Sequence, residues 1–330
     1  MKTIVISGAS SGVGKTTLAR QLARMLPNAT IAKIGHGTPK DNDIPLYQSG
    51  TSFEQIQKDF SRGSFLIIES NSILEEFSPD MTIFLDGISA KPSALHARRK
   101  ADIISDIRVN EQTIRHLAEN TGLSREIIRR IAWLSGARPE PVTGIILAGG
   151  KSSRMGKDKS MLDIRGKPAL RHLFDQLSLR CDNVLISAAR QTQTHIAGAC
   201  YIIDKQDGLG PLMGIYTALT QSDSRVNFVI ACDIPHFDHF LFRQLLSYSD
   251  THDVVVPSIL KGMREPLFGV YTRQVVPAAG MLLAGYRLRI SELFERCATR
   301  VIEATDAGWY ANLNTPEEYE SYITREKVAV

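Results

Sequence analysis

The amino-acid sequence predicts an α/β protein of two domains, each built on a mostly parallel sheet, with a helical segment joining them. Three observations carry this. Short apolar runs alternate with amphipathic helical stretches through both halves, the pattern of strands joined by crossover helices. A glycine-rich loop follows a strand-like run twice, at 8–15 and again at 149–159, so each half opens with its own strand–loop–helix unit. The chain also has 330 residues, more than the roughly 100 to 200 that one domain usually takes.

In the first half, apolar runs at 4–6, 30–34, 65–68 and 81–85 read as buried strands and 16–26 as a helix, giving a domain over 1–106. A helical pattern from about 110 to 134 ends at Ser135-Gly136-Ala137-Arg138-Pro139-Glu140-Pro141, whose glycine and prolines cannot continue a helix. The segment 107–142 is therefore predicted to be a helical linker. In the second domain, 143–330, strands at 144–147, 183–187, 228–232 and 253–256 alternate with helices at 169–179, 212–220 and 238–246. Such a doubly wound sheet places ligands at the carboxyl ends of its strands.

Composition narrows the class without choosing within it. A hydrophobic fraction of 43% and a charged fraction of 22% are those of a soluble globular protein. The net charge of +4 suits an anionic ligand such as a nucleotide and falls short of a nucleic-acid-binding signature. Cys181, Cys200, Cys232 and Cys297 form no Cys-x-x-Cys pair, which argues against a disulfide framework or zinc knuckle; they read as buried thiols in a reducing cytoplasm. The first apolar run stops at Gly8, and no later run approaches the ~20 residues of a membrane span, so a cytoplasmic protein with no membrane partner is expected.

The chemistry is written most densely in the second half. A strand ends in Gly149-Gly150, where paired glycines let the main chain approach a phosphate and present its N–H groups. Arg154 can grip phosphate oxygens through its planar fork, and Lys159 supplies a mobile point charge. The run 227–235 ends in Asp233-Ile234-Pro235, a carboxylate at a strand end where a hard cation such as Mg²⁺ needs an oxygen ligand; read alone, the same aspartate is as well explained as a helix cap. Together these elements suit attack by a phosphate on the α-phosphorus of a nucleoside triphosphate. The attacking phosphate, with a second pKa of about 6, is mostly ionised at neutral pH, so charge neutralisation matters more than a general base. His172, His236 and His239 then read as structural or surface residues.

Leu147-Ala148-Gly149-Gly150-x-Ser152-x-Arg154-Met155-Gly156-x-Asp158-Lys159, then Gly210-Pro211-Leu212-x-Gly214-Ile215, Cys232-Asp233-x-Pro235 and Asn312-Leu313-Asn314-Thr315-Pro316-Glu317-Glu318 resemble, in order, the motifs of the molybdenum cofactor guanylyltransferases. The resemblance covers 143 to about 322. It implies a Rossmann-like nucleotidyltransferase sheet and transfer of GMP from GTP to the phosphate of molybdopterin, with Mg²⁺, giving a guanine dinucleotide and pyrophosphate. It further implies that Leu147, Ala148, Gly149 and Gly150 line the nucleotide and Lys159 meets it, that Asp207 contacts the guanosine, that Asp233 binds Mg²⁺, and that Asn312 and Asn314 face the pterin or the metal. Ser187 aligns where the family usually has an asparagine against the base. Related cytidylyltransferases tend to carry Ala-Ala-Gly where this chain has Ala148-Gly149-Gly150, which favours GTP over CTP. Cofactor-insertion chaperones or molybdoenzymes are the protein partners such an activity suggests.

The first glycine loop, Gly8-Ala9-Ser10-Ser11-Gly12-Val13-Gly14-Lys15-Thr16-Thr17, fits a relaxed P-loop, with Ala9 where glycine is commoner. In such a loop the N–H groups hold a β-phosphate, Lys15 reaches the phosphates and Thr16 binds Mg²⁺. Glu69 ends a strand where a P-loop protein needs an acid, or simply caps it. The domain resembles the P-loop accessory proteins that accompany the guanylyltransferases, with Lys33-Ile34-Gly35-His36-Gly37 in place of their histidine-rich segment; a nucleotide-binding or cofactor-delivery role follows. In the helical linker, Ala118, Gly122, Ile128 and Ile131 fall as in a helix-turn-helix, and Arg125, Arg129 and Arg130 could meet phosphates. Helix packing explains the same spacing. The competing readings are thus a cofactor-maturation enzyme, a P-loop carrier whose second half only binds nucleotide, and a cofactor-sensing DNA-binding regulator.

Overall fold

The computed structural model describes residues 1–35, 43–60, 63–87, 92–148, 158–188, 196–259, 262–304 and 310–328. The chain divides into two compact units, Met1–Glu140 and Pro141–Val330. Among the described residues no helix is long and apolar enough to cross a membrane.

The first unit holds β1 (Lys2–Gly8), α1 (Lys15–Met25), β2 (Ala29–Gly35), β3 (Leu46–Gln48), α2 (Phe53–Asp59), β4 (Phe65–Glu69), β5 (Met81–Leu85), α3 (Pro92–Arg99), β6 (Ile103–Ile104), α4 (Glu111–Thr121) and α5 (Arg125–Ser135). Its six strands lie in the order β3-β2-β4-β1-β5-β6 with parallel pairings throughout. The central strands are buried on both faces, which is why they read as unbroken apolar runs rather than alternating ones. Gly14 caps α1 with a left-handed φ of 92° and Gly12 has φ 84°, conformations that an L side chain resists.

The helices that sequence patterning placed in a linker over 107–142 pack into this core. Asn110 and Ser124 start α4 and α5 by accepting the N–H of Thr113 and Ile127, and Gly122 and Gly136 end them in left-handed conformations. Ile114, Leu117, Ile128 and Ile131 are fully buried in one cluster with Ile4, Leu22 and Ile83 of the sheet and α1. Arg129, offered by the sequence as a phosphate contact, is 17% exposed and paired with Glu111 and Glu140, so the seam uses its charge internally.

The second unit holds β7 (Val142–Leu147), β8 (Asp163–Ile164), β9 (Lys167–Pro168), α6 (Ala169–Ser178), β10 (Asn183–Ala188), β11 (Cys200–Ile203), α7 (Pro211–Gln221), β12 (Val226–Ala231), α8 (His239–Leu246), β13 (Val254–Ser258), β14 (Phe268–Thr272), α9 (Val276–Ala284), α10 (Ile290–Phe294), β15 (Thr299–Glu303) and α11 (Pro316–Val328). The main sheet runs β11-β10-β7-β12-β14-β13-β15, parallel except that β14 opposes both β12 and β13. β14 and β15 were not anticipated from the sequence. Their apolar runs lie outside the regular strand–helix alternation, and β15 is mostly solvated. A small separate cluster of Leu162, Ile164, Ala169, Leu313 and Tyr322 packs the β8–β9 hairpin with α6 and α11.

Of the four cysteines, Cys181 and Cys232 are buried as expected, but Cys200 on the edge strand β11 is exposed and Cys297 is partly so; an edge position leaves one flank of a strand open to water.

If α4 and α5 belong to the core of the first unit, Leu117→Ala will cost about 2–5 kcal/mol of that unit's stability through lost burial and a residual cavity. Urea unfolding measures this; an unchanged stability would show that the pair is only a tether.

Candidate active site

Parallel pairing brings candidate positions of the second unit to one edge. Ser187 on β10, Leu147 on β7 and Ala231 on β12 are register partners across three strands. The residues just beyond them, Ala148, Cys232 and Asp233, therefore emerge side by side. The ladder continues one step further, with the Ala148 N–H donating to Ser187 O at 2.8 Å and the Cys232 N–H to Leu147 O at 3.1 Å. β11 extends the same edge, because Ile202 pairs with Ser187 and Asp204 follows its last residue.

Lys159 arrives from another element. It opens a 3-10 turn, Lys159–Met161, capped by Asp158, whose carboxylate accepts the Ser160 N–H at 3.0 Å. Its ammonium donates to Asp233 Oδ2 at 2.9 Å and to Asn314 Oδ1 at 2.5 Å. Lys159 and Asp233 side chains are only 17% and 20% exposed, so both charges are partly desolvated and depend on each other. Asn314 is fixed by the start of α11. There Glu318 accepts the N–H groups of Asn314 and Thr315, while the Thr315 hydroxyl accepts the Glu318 N–H, a capping box that the order Thr-Pro-Glu-Glu encodes. The Leu313 N–H donates to Asp233 O at 2.9 Å, tying this segment to the end of β12.

A second group stands beside the first. Glu265 is buried, accepting the Leu267 N–H at 2.9 Å and the Tyr310 hydroxyl at 2.8 Å, and Asn312 Nδ2 donates to that hydroxyl at 3.3 Å. Burial, reinforced by the Asp233 charge, raises the Glu265 carboxyl above its ordinary pKa. Asn312 Oδ1 is buried with no hydrogen-bond partner among the described residues. Burial and the Asp233 charge push the Cys232 thiol up to about 12, which removes it as a nucleophile.

The third group faces Gly214 on α7. A Cβ at Gly214 would lie 3.1 Å from Leu147 Cδ2, 3.4 Å from Ser187 Oγ and 3.7 Å from Asp204 Oδ1. Its bare Cα thus lets α7 pack closely against those three residues. Gly210, with φ 71°, and Pro211 at the first helical position start α7 there. Ser187 donates its hydroxyl to Asp204 Oδ1 at 2.8 Å. Burial raises the Asp204 carboxyl, against the Ser187 hydrogen bond and with help from the Asp207 charge.

Of the residues singled out in the sequence, the structure brings Lys159, Asp233 and Asn314 into direct contact, with Asn312 beside them through Tyr310 and Glu265. Leu147, Ala148 and Ser187 share the sheet edge, and Asp207 is exposed on the β11–α7 connection. Gly149, Gly150 and Arg154 lie outside the described residues. Glu265, Tyr310 and Asp204 were missed. Asp204 was legible, since Ile202-Ile203-Asp204 ends an apolar run in an acid as Ala231-Cys232-Asp233 does. Glu265 was not, because nothing local announces that β14 turns back antiparallel beside β12. His172, His236 and His239 line a cavity of about 400 Å³ together with Arg165 and Phe237.

In the first unit, Thr16 on α1 donates its hydroxyl to Glu69 Oε2 at 2.6 Å. Lys33 Nζ lies 3.3 Å from Glu69 Oε1 and 3.4 Å from Thr16 Oγ1. Lys15 Nζ donates to Ser10 O at 2.8 Å, and the Asn71 carboxamide clasps both the N–H and the C=O of Gly8. Gly12, Gly14 and Thr17 complete the loop and the opening of α1.

Residues 144–301 match the family of MobA-like NTP transferase domains, which makes the second unit, with its lysine–aspartate pair at a parallel sheet edge, a nucleotidyltransferase. The molybdenum cofactor guanylyltransferase of Vibrio atlanticus is 30% identical over 190 residues, covering 56% of this chain and 97% of that protein. The molybdenum cofactor biosynthesis bifunctional protein of Synechocystis sp. is 29% identical over 208 residues, covering 59% of this chain and 57% of that one. A solved structure of molybdopterin-guanine dinucleotide biosynthesis protein A from Archaeoglobus fulgidus aligns at a TM-score of 0.49 and 19% identity, over 56% of this chain and 99% of its own. Through its second unit the chain belongs to the molybdenum cofactor guanylyltransferase family.

The raised Asp204 pKa carries a sign. Between the ordinary carboxylate value and its folded value the native state holds the proton more tightly than the unfolded chain, so stability falls as pH rises through that window. Asp207→Asn is expected to lower the Asp204 midpoint in a carboxyl NMR titration and to relieve that loss. A midpoint that does not move would show that Asp207 exerts no charge effect there.

Proposed function

We propose that the second unit transfers GMP from GTP to the phosphate of molybdopterin, releasing pyrophosphate and forming the guanine dinucleotide cofactor. The observation that carries this reading is the convergence of Lys159, Asp233 and Asn314 at the carboxyl end of a parallel sheet, in a chain whose relatives are named for that transfer. The acceptor phosphate is already ionised, so the barrier is one anion approaching another. Lys159 meets the nucleotide phosphates and offsets their charge, with Arg154 assigned the same task from the glycine loop. Leu147, Ala148, Gly149 and Gly150 line the nucleotide.

Ser187 and Asp204 are assigned to the base. The carboxylate is acceptor-only and offers two oxygens, which suits the adjacent N–H and amino donors of guanine better than the single amino donor of cytosine. The Ser187 hydroxyl orients it where the family's asparagine would stand, and Asp207 contributes from the exposed connection. Asn312 and Asn314 face the pterin side.

Mg²⁺ fits the donors present. Asp233 and Asn314 already direct oxygens at one cation, the Lys159 ammonium, and the Asn312 carbonyl oxygen is buried without a partner. A set of hard oxygens with one carboxylate suits an ion that keeps several waters and substrate oxygens in its shell. Bound there, it would supply charge stabilisation to the phosphates. Asp233 and the Asn314 carbonyl oxygen would hold it.

The first unit is assigned as a P-loop accessory domain. Left-handed Gly12 and Gly14 at the start of α1, with Lys15 and Thr16 behind them, support binding of nucleotide phosphates at a helix N-terminus. It would hold nucleotide or assist delivery of the finished cofactor to insertion chaperones or molybdoenzymes.

With Mg²⁺, GTP and molybdopterin the protein is expected to release pyrophosphate, and CTP to substitute poorly. Asp233→Asn should lower kcat by about 100-fold or more, while Lys15→Ala leaves turnover intact. A coupled pyrophosphate assay reads all three, and full turnover by Asp233→Asn would overturn the metal assignment.

A further inference from the structure

The glycine loop of the first unit pairs Thr16 with an acid as a divalent-cation site requires, yet a cation of the chain's own already stands on that pair. Lys33 and Glu69 are direct register partners on the parallel strands β2 and β4. Register partners project to the same face of a sheet, so the sheet itself places the lysine over the acid. Its ammonium lies 3.3 Å from Glu69 Oε1 and 3.4 Å from Thr16 Oγ1, while the Thr16 hydroxyl donates to the other Glu69 oxygen. The Glu69 side chain is 8% exposed against 38% for Lys33. The carboxylate is thus enclosed and satisfied, whereas the lysine keeps an open side.

We propose that Lys33 takes the place of a divalent cation at this loop, so that the first unit binds the phosphates of a nucleoside di- or triphosphate without a metal ion. The proposal rests on reading the loop as a phosphate cradle. A bound Mg²⁺ would sit about 2.0–2.1 Å from its oxygens and would have to drive a like-charged ammonium off the only carboxylate that faces Thr16 among the described contacts. With Lys33 in place, Glu69 is neutralised at the start of α1, where the helix N-terminus favours a phosphate. The hydrated, mobile end of Lys33 can turn from Glu69 to a phosphate oxygen without leaving the site.

The test is an equilibrium titration of the full chain with mant-ATP and mant-GTP, once in Mg²⁺ and once in excess EDTA. The Lys15→Ala chain is titrated in parallel, so that only the Lys15-dependent signal is assigned to this loop and binding at the second unit is subtracted. Lys15-dependent affinity in EDTA is expected to stay within about threefold of that in Mg²⁺, and in Lys33→Met to fall at least about tenfold in EDTA and recover when Mg²⁺ is added. Lys33→Arg, which keeps the charge, should behave as the unsubstituted protein. Loss of the unsubstituted protein's binding in EDTA, by tenfold or more, overturns the proposal and needs no variant to show it. Equal EDTA binding by Lys33→Met also overturns it. Absence of any Lys15-dependent binding in either medium refutes the phosphate cradle itself, a result separate from a metal-dependent one.

Discussion

A half-buried ammonium has to be neutralised, and the second unit is organised around how that is done. Lys159 finds Asp233 at the end of a central strand and Asn314 on the approach to the last helix, a partner 155 residues away. For both to be within reach, β12 must end level with β7, the 3-10 turn must be capped by Asp158, and the segment before α11 must be pinned against Asp233. Parallel register meets the first condition, the Asp158 cap the second, and the capping box with the main-chain bond from Leu313 the third. Removing the charge would leave two oxygens facing each other in a site largely closed to water.

Much of this was readable from residue order. Strand ends and helix starts were legible because parallel strands buried on both faces make unbroken apolar runs, and because Asn110, Ser124, Gly122 and Gly136 mark helix boundaries chemically. Lys159 was legible from the cluster of glycines and cations after a strand end, Asp233 from its place at another strand end once the two were read together, and Asn314 only through the motif series that resembles the guanylyltransferases. What escaped was whatever depends on non-local pairing. The reversal of β14 brings Glu265 beside Asp233 with no local sign in either segment. The place of α4 and α5 in the first core was likewise hidden: an amphipathic helix pair looks the same whether it joins two domains or completes one.

The two units repeat one electrostatic arrangement with different parts. In each, an acid closes a parallel strand at the edge where phosphates are expected, and a lysine from a different element lies on it: Lys159 on Asp233, Lys33 on Glu69. The geometry differs in a way that matters. Lys159 sits on a short capped turn outside the main sheet, whereas Lys33 is built into the sheet by register with Glu69. A lysine on a turn can yield its acid to another cation with little rearrangement, but one held by strand pairing stays close whatever arrives.

The long reach from Lys159 to Asn314 also has a meaning in time. Domains form as the ribosome releases them, amino-terminal part first. The sheet from β7 to β12, with the Lys159–Asp233 pair, can assemble while the remaining strands are still being made. Asn314 Oδ1, the second oxygen on the Lys159 ammonium, comes from the stretch just ahead of α11, so Lys159 and Asp233 are synthesised first and can meet before residue 314 follows. A chain broken off between Asp233 and Asn314 would hold the ammonium by the carboxylate alone.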